Sequence, residues 1–128
     1  MANEYKKGQV WSYTTREGEE KSTILILDTE RYQFPERVDV VYIAINNLQM
    51  VNPLEETGFS EEIEFLPFSK KSIDNSVTEL LQENVWVHAY EEGYFEWKKA
   101  FMQSKGGIFD MTVKTAVKST EQTLEQVK

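Results

Sequence analysis

The sequence predicts an α+β fold, in which a curved antiparallel sheet or partial barrel from the N-terminal half packs against about three helices. Segments near the N-terminus are rich in β-branched and aromatic residues and are apolar on both sides, which is typical of strands covered twice. Segments nearer the C-terminus each carry one apolar stripe at helical spacing. The two patterns are mutually consistent when the helices cover the sheet.

A single domain is predicted for residues 1–128. The chain is long enough to bury a core, 40% of its residues are hydrophobic, and it has no cysteine, so disulfides play no part in the fold. Residues 1–11 lack the apolar core of a signal peptide, and no apolar run approaches the length of a membrane span. We therefore expect a cytoplasmic protein that does not enter a membrane.

The first half of the chain contains three predicted strands, at residues 9–15, 22–28 and 38–45. The first two meet across a turn in which Gly18 supplies the reversal, and this arrangement predicts a hairpin. Pro35 lies in the link to the third strand. Because proline has no N–H to donate, that link stays outside the sheet.

The end of the third strand is ambiguous at Asn46-Asn47. Asparagine tolerates left-handed backbone, so the pair predicts a tight hairpin into a fourth strand at residues 48–51, with a single bulged strand as the alternative. Residues 52–67 contain proline, glycine and five glutamates, which is typical of a loop. One edge strand is predicted within this loop, at residues 62–66.

The first of the three predicted helices lies near residues 70–83. Ser69 is its expected N-cap, and Phe68 and Ile73 have the spacing of a hydrophobic staple around that cap. The residues expected on its apolar face are Ile73, Val77, Leu80 and Leu81.

The third predicted helix lies near residues 114–127 and follows a short predicted strand at residues 108–112. Its apolar stripe consists of Val113, Val117, Leu124 and Val127.

The second predicted helix, near residues 90–105, contains the unusual stretch YEEGYFEWKKAF. At about 100° per residue, four of its aromatic residues share one face and are expected in the core: Tyr90, Tyr94, Trp97 and Phe101. Phe95 points away from that face and lies next to Met102 on a ridge flanked by charge. This pair is either the edge of a broad buried face or a small exposed contact patch.

Charge is concentrated in the middle of the chain. The net charge is −8, and residues 38–97 hold twelve acidic residues against two basic ones, while the remainder holds ten acidic against twelve basic. This sign is wrong for holding a nucleic-acid backbone, so no nucleic-acid partner is expected. The acidic middle is either a solvated face or a surface for a protein partner with a basic surface.

Candidate partner-binding residues follow from this distribution. Loops on a rigid scaffold carry contacts, which favours the loop glutamates. Two further glutamates are spaced one turn apart on the first predicted helix and extend the patch. With the aromatic ridge, the candidates are Glu55, Glu56, Glu61, Glu62, Glu79, Glu83, Phe95 and Met102.

Signatures of catalysis are lacking in the sequence. His88 is the only histidine, and without cysteine it does not complete the usual zinc sphere. Phosphate-binding glycine loops, the GxSxG elbow and calcium-loop spacing are absent. We therefore predict no catalytic residue, no cofactor and no metal. The enzymatic alternative is a small hydrolase that uses carboxylates near His88.

Three blocks of the sequence, GQVWSYTTREGEE, LPFSKKSIDNSVTEL and EEGYFEWKKAF…GGIF, resemble a group of small, acidic, mostly uncharacterised bacterial proteins. The blocks span most of the chain, and the resemblance carries no catalytic signature. In size and acidity the chain is also similar in type to immunity proteins, which neutralise bacterial toxins.

These observations predict a non-enzymatic acidic protein-binding domain, best interpreted as a bacterial immunity or inhibitor protein that neutralises a basic toxin. A housekeeping adaptor module with an unknown partner is the non-enzymatic alternative. The sequence gives no oligomeric state.

Overall fold

The computed structural model describes residues 4–126. In chain order the elements are β1 (Val10–Tyr13), β2 (Thr23–Tyr32), β3 (Val38–Asn46), β4 (Met50–Val51), β5 (Phe59–Ser60), β6 (Ile63–Ser69), α1 (Lys70–Ser76), β7 (Val77–Gln82), α2 (Glu91–Met102) and α3 (Val113–Glu125). Five strands form one antiparallel sheet in the order β6-β3-β2-β1-β7, and β4 pairs with β5 in a separate small sheet. The predicted α+β class is confirmed, and the sheet stays open rather than closing into a barrel.

Both faces of the sheet are covered, as the two-sided apolar strands predict. On one face, Ile24, Ile26 and Ile43 pack against residues of α1 and α3, including Ile73 and Val113. On the other face, a second cluster packs against α2: Leu25, Leu27, Tyr32, Val40, Tyr42, Ala44 and Phe101. The most buried strands, β2 and β3, therefore lie between two helical layers.

A bulge in β2 changes which residues face α2. Ile26 pairs with Ile43 and Asp28 pairs with Tyr42, so Leu27 is an extra residue on β2. Because side chains alternate along a strand, one extra residue moves every later side chain to the opposite face. Glu30 and Tyr32 therefore lie on the face that α2 covers.

The first helix is much shorter than the sequence predicts. Ser69 caps α1 as expected, since its hydroxyl accepts a hydrogen bond from the Ser72 backbone N–H. The helix ends at Ser76, and residues 77–82 form β7, which pairs with β1. The prediction of helix over 70–83 is wrong beyond Ser76. Residues 77–82 begin with two β-branched residues, which favour a strand, and pairing with the otherwise open edge of β1 outweighs the helical spacing of their apolar side chains. Leu80 and Leu81, expected in the core, are 38% and 45% exposed.

The region after β3 also departs from prediction. Asn47 has the left-handed backbone expected of it, with φ 58°, but β4 does not pair with β3. Neither the tight hairpin nor the bulged strand is correct, because β6 takes the place beside β3 and β4 pairs with β5. The predicted edge strand at 62–66 is confirmed as β6.

The C-terminal elements follow the prediction in part. Both α2 and α3 are helices, and Val113 and Val117 are buried, while Val127 lies outside the described residues. Residues 108–112 do not form a strand. Phe109 instead makes a single parallel bridge to Phe68. Within residues 4–126, no helix is both long enough and apolar enough to cross a bilayer.

Candidate partner-binding surface

The segment joining β3 to β6 is fixed to the rest of the fold by two carboxylates. Glu19 is 4% exposed and accepts the Gln49 backbone N–H at 2.8 Å. Glu121 of α3 accepts the Val51 backbone N–H at 2.7 Å. Arg16 bridges the two, donating from Nε to Glu19 at 2.6 Å and from Nη1 to Glu121 at 2.9 Å. This network holds β4 at a defined position against α3.

The pKa of Glu19 reflects this setting. Burial raises the pKa of the carboxyl, but the hydrogen bonds from Arg16 and from the Gln49 backbone outweigh burial, and the pKa is lowered overall. Glu19 is therefore ionised at neutral pH, and its carboxylate is occupied by hydrogen bonds within the fold.

Three of the predicted loop glutamates line one cleft of about 870 Å³. Glu55, Glu61 and Glu62 contribute to it together with Phe59. The rest of the lining comes from the end of β3 and the β4–β5 segment: Asn46, Asn47, Leu48, Gln49, Thr57 and Ser60. A backbone hydrogen bond of 2.7 Å from the Leu48 N–H to the Glu61 carbonyl joins the two sides. We call this feature the acidic cleft.

The carboxylates of the acidic cleft are not used by the fold. Glu55, Glu61 and Glu62 are exposed, and within the described part of the chain none of them forms a salt bridge. Glu56 is exposed beside Glu55 at the hairpin turn but does not line the cleft. The cleft therefore presents three uncompensated negative charges to solvent.

Apolar side chains lie beside these charges. Val51 and Phe59 are cross-strand partners in the β4–β5 pair, so they lie side by side, and they are 38% and 51% exposed. Leu54, in the intervening turn, is 65% exposed. The sequence did not indicate this apolar tip, because Leu54 and Phe59 are isolated in a stretch typical of a polar loop and Val51 belongs to the predicted fourth strand.

The other predicted acidic residues lie elsewhere. Glu79 is on β7 and Glu83 follows it, so the helical spacing that suggested a continuous patch does not exist. The acidic cleft adjoins the ends of β3 and β6, whereas β7 is the opposite edge strand. Four strand spacings separate β6 from β7, which is roughly 19 Å. Glu79 and Glu83 therefore do not extend the cleft.

On α2 the structure separates the two kinds of aromatic residue. Tyr94 and Trp97 pack on Tyr42, with ring centroids 5.3 Å and 5.4 Å from its ring. Of the predicted core stripe, Phe101 is buried, and the other three aromatic residues are partly buried against the same cluster. Phe95 is 62% exposed and Met102 is 51% exposed. The alternative of a broad buried face is wrong, and the pair is an exposed ridge whose role in contacts stays a prediction.

One polar cluster beneath α2 was not foreseen. The same Glu30 oxygen, Oε1, accepts hydrogen bonds from Tyr32 at 3.0 Å, from Tyr42 at 2.9 Å and from Tyr94. Lys98 donates to the Tyr94 hydroxyl at 2.9 Å and lies 3.6 Å from Glu30 Oε2. The bulge at Leu27 brings Glu30 to this position, and no residue pattern in the sequence marks that bulge.

Electrostatics fix the protonation of Glu30 and Tyr42 in this cluster. Burial raises the pKa of Glu30, but hydrogen bonds from Tyr94, Tyr42 and Tyr32 and the charge of Lys98 lower it by more, so the pKa lies below its ordinary value. Burial, reinforced by Tyr32 and Glu30, raises the pKa of Tyr42. The glutamate is ionised and Tyr42 is protonated at neutral pH, which is the state that forms these hydrogen bonds.

His88 contacts the backbone rather than a carboxylate. Its Nε2 lies 3.0 Å from the backbone carbonyl of Glu64, and because a carbonyl only accepts, Nε2 is the donor. Within residues 4–126, no group of histidine and acidic side chains is arranged to hold a metal ion.

Comparison of the chain with protein-family models, with curated proteins and with solved structures found no match. The geometry of the acidic cleft and its apolar tip is therefore the basis on which a function is assigned.

Proposed function

We propose that the protein is a non-enzymatic acidic binding domain whose acidic cleft holds a basic surface of a protein partner. The observation that carries this proposal is the convergence of Glu55, Glu61 and Glu62, without salt bridges in residues 4–126, in one cleft beside exposed Phe59.

Uncompensated carboxylates favour a basic partner. Lysine or arginine side chains that enter the cleft gain charge-assisted hydrogen bonds without first breaking an internal ion pair. The net charge of −8, with twelve acidic and two basic residues over positions 38–97, adds a long-range field that attracts such a partner towards the protein.

The apolar tip favours a folded protein over small cations or a flexible polycation. Interfaces between proteins place aromatic and aliphatic anchors at the centre and charged groups at the rim. Val51, Leu54 and Phe59 supply such anchors, and the cleft glutamates supply the rim.

The base of the site is pre-organised. Arg16, Glu19 and Glu121 hold β4 and the residue before it through the backbone N–H groups of Val51 and Gln49, so binding does not have to order this part of the hairpin. A rigid acidic surface of this kind suits an inhibitor that must capture its target quickly.

Among non-enzymatic domains, we favour a bacterial immunity or inhibitor protein that neutralises a basic toxin in the cytoplasm. The similarity in size, acidity and lack of catalytic signature to immunity proteins supports this choice. An adaptor module would use the same cleft for a permanent cellular partner, so identification of the partner separates the two.

Site-specific photo-cross-linking tests the proposal. A benzophenone amino acid in place of Phe59 is expected to capture one basic protein in source cells, because position 59 borders the cleft. The matched control is the same replacement at Phe34, which is 78% exposed in the turn between β2 and β3. Capture of an acidic protein, or equal capture from both positions, would contradict the proposal. Inhibition of the captured protein's toxicity identifies an immunity protein.

A further inference from the structure

The two edge strands of the five-stranded sheet, β6 and β7, differ in the backbone hydrogen bonds at their outer edges. The β6 edge is covered, because the Ser69 N–H donates to the Phe109 carbonyl at 2.9 Å and the Phe109 N–H donates to the Pro67 carbonyl at 3.0 Å. His88 covers the Glu64 carbonyl on the same strand. Among residues 4–126, β7 has β1 as its one strand partner. The Val77 N–H is taken up by the Ile73 carbonyl at the end of α1, and residues 78–82 make no further backbone hydrogen bond to a described residue outside their pairing with β1.

After its first residue, the side chains of β7 are exposed, as expected for a strand that has no neighbouring strand on its outer side. Leu80 is the register partner of Trp11, which is buried in the core, yet Leu80 itself is 38% exposed. Leu81 is 45% exposed and lies at one of two bulges, between the pairs Val10–Gln82 and Trp11–Leu80. Proteins commonly protect open edges with bulges, charged side chains, especially lysine, with proline or with a covering loop, and of these β7 has its two bulges and Glu79. Residues 77–82 contain neither lysine nor proline.

We propose that β7 is a docking strand to which a partner adds an extended basic segment as a sixth strand. In this mode, main-chain hydrogen bonds supply affinity and alternate side chains supply specificity. The added strand covers Leu80, and its lysine or arginine residues meet Glu79 and Glu83. The inference concerns a surface separate from the acidic cleft, and it rests on the proposed function only in that the partner is basic.

Charge disfavours a second copy of this chain as the occupant. The antiparallel register that places Leu81 opposite Leu81 sets Glu79 opposite Glu83 twice, and like charges directly opposite one another destabilise a strand pair. Each copy also carries a net charge of −8. A basic segment meets the same edge with complementary charge.

A peptide of alternating lysine and valine tests this docking mode on the full chain. We expect it to bind, to slow amide hydrogen exchange over residues 77–82 and to shift their NMR resonances. The matched control peptide has the same sequence and charge but carries a methyl group on every backbone nitrogen. It is expected to bind about tenfold more weakly or worse, because it has no N–H to donate to the strand edge.

Two protein variants locate the binding. E79K/E83K is expected to lower the affinity for the lysine–valine peptide by about tenfold. E55K/E61K/E62K, which alters the acidic cleft, is expected to leave its affinity within about twofold, since three to four strand spacings, roughly 14–19 Å, separate the cleft from β7. Equal affinity for the methylated peptide, protection of β4 and β5 instead of β7, or no binding at all would each overturn the docking strand. None of these results bears on cross-linking through position 59, so the two proposals fail separately.

Discussion

Carboxylates inside the fold and carboxylates around the acidic cleft differ in what surrounds them. Glu19 is buried and Glu30 is partly exposed, and both accept hydrogen bonds from arginine, tyrosine or backbone donors. Glu55, Glu61 and Glu62 are exposed, and the described residues offer them no ion-pair partner. The same residue type is therefore hydrogen-bonded within the fold in one region and left exposed without an ion-pair partner among the described residues in the other.

The aromatic residues of α2 show the same division. Trp97 packs against Tyr32, Tyr42 and Phe101, whereas Phe95 contacts the neighbouring Tyr94 ring and is 62% exposed. The two residues are two positions apart on one helix. Their comparison separates a contribution to folding from a contribution to binding.

The largest effect is expected for Trp97→Ala. Loss of this packed indole should lower the free energy of unfolding by about 3–5 kcal/mol, as for other packed aromatic residues. Phe95→Ala should change the free energy of unfolding by less than about 0.5 kcal/mol, since exposed substitutions have small effects. Chemical denaturation of both variants measures the difference. Equal destabilisation would show that Phe95 belongs to the core.

A smaller but still large effect is expected for Glu30→Ala. The variant leaves the hydroxyls of Tyr32, Tyr42 and Tyr94 without their shared acceptor, which should cost about 2–4 kcal/mol of unfolding free energy. Glu62→Ala, the matched change at the cleft, should cost less than about 0.5 kcal/mol. If the two variants are equally stable by chemical denaturation, the division between internal and cleft carboxylates is wrong.

Acid should expose the contribution of the internal carboxylates. The pKa values of Glu19 and Glu30 are lowered in the folded state, so the unfolded chain binds more protons as the pH falls. Their stabilisation is complete above the ordinary carboxyl pKa and is lost as the pH falls through the lowered values. Denaturation series from neutral to acidic pH should show a shallower acid loss for Glu30→Gln than for the wild type. Superimposable slopes would argue against a lowered pKa at Glu30.

The sequence predicts individual helices and strands better than it predicts which strands pair with one another and in what register. Strands β2 and β3, helices α2 and α3 and the Ser69 cap follow from local pattern. The change from α1 to β7 does not, because it depends on the open edge of β1, which is distant along the chain. The bulge at Leu27 is also invisible to side-chain alternation, and Glu30 was missed for that reason.

The residues of the candidate site could likewise be predicted only in part. Loop composition was sufficient to select Glu55, Glu61 and Glu62, and the structure brings these three to one cleft. Their contact with a partner stays a prediction. Glu79 and Glu83 were assigned to a helix and lie on or after an edge strand instead. Phe59 and Leu54 were missed because isolated apolar residues in a loop carry no periodic signal.

The association rate with the protein captured through position 59 tests the central claim most directly. The two variants to compare are E55K/E61K/E62K at the cleft and E17K/E36K/E125K, three exposed glutamates elsewhere that change the net charge equally. At low salt the cleft variant should associate about tenfold more slowly than the wild type, and the scattered variant should lose much less. The difference should shrink as salt rises. Equal slowing by both variants, or no slowing by the cleft variant, would contradict recognition through the acidic cleft.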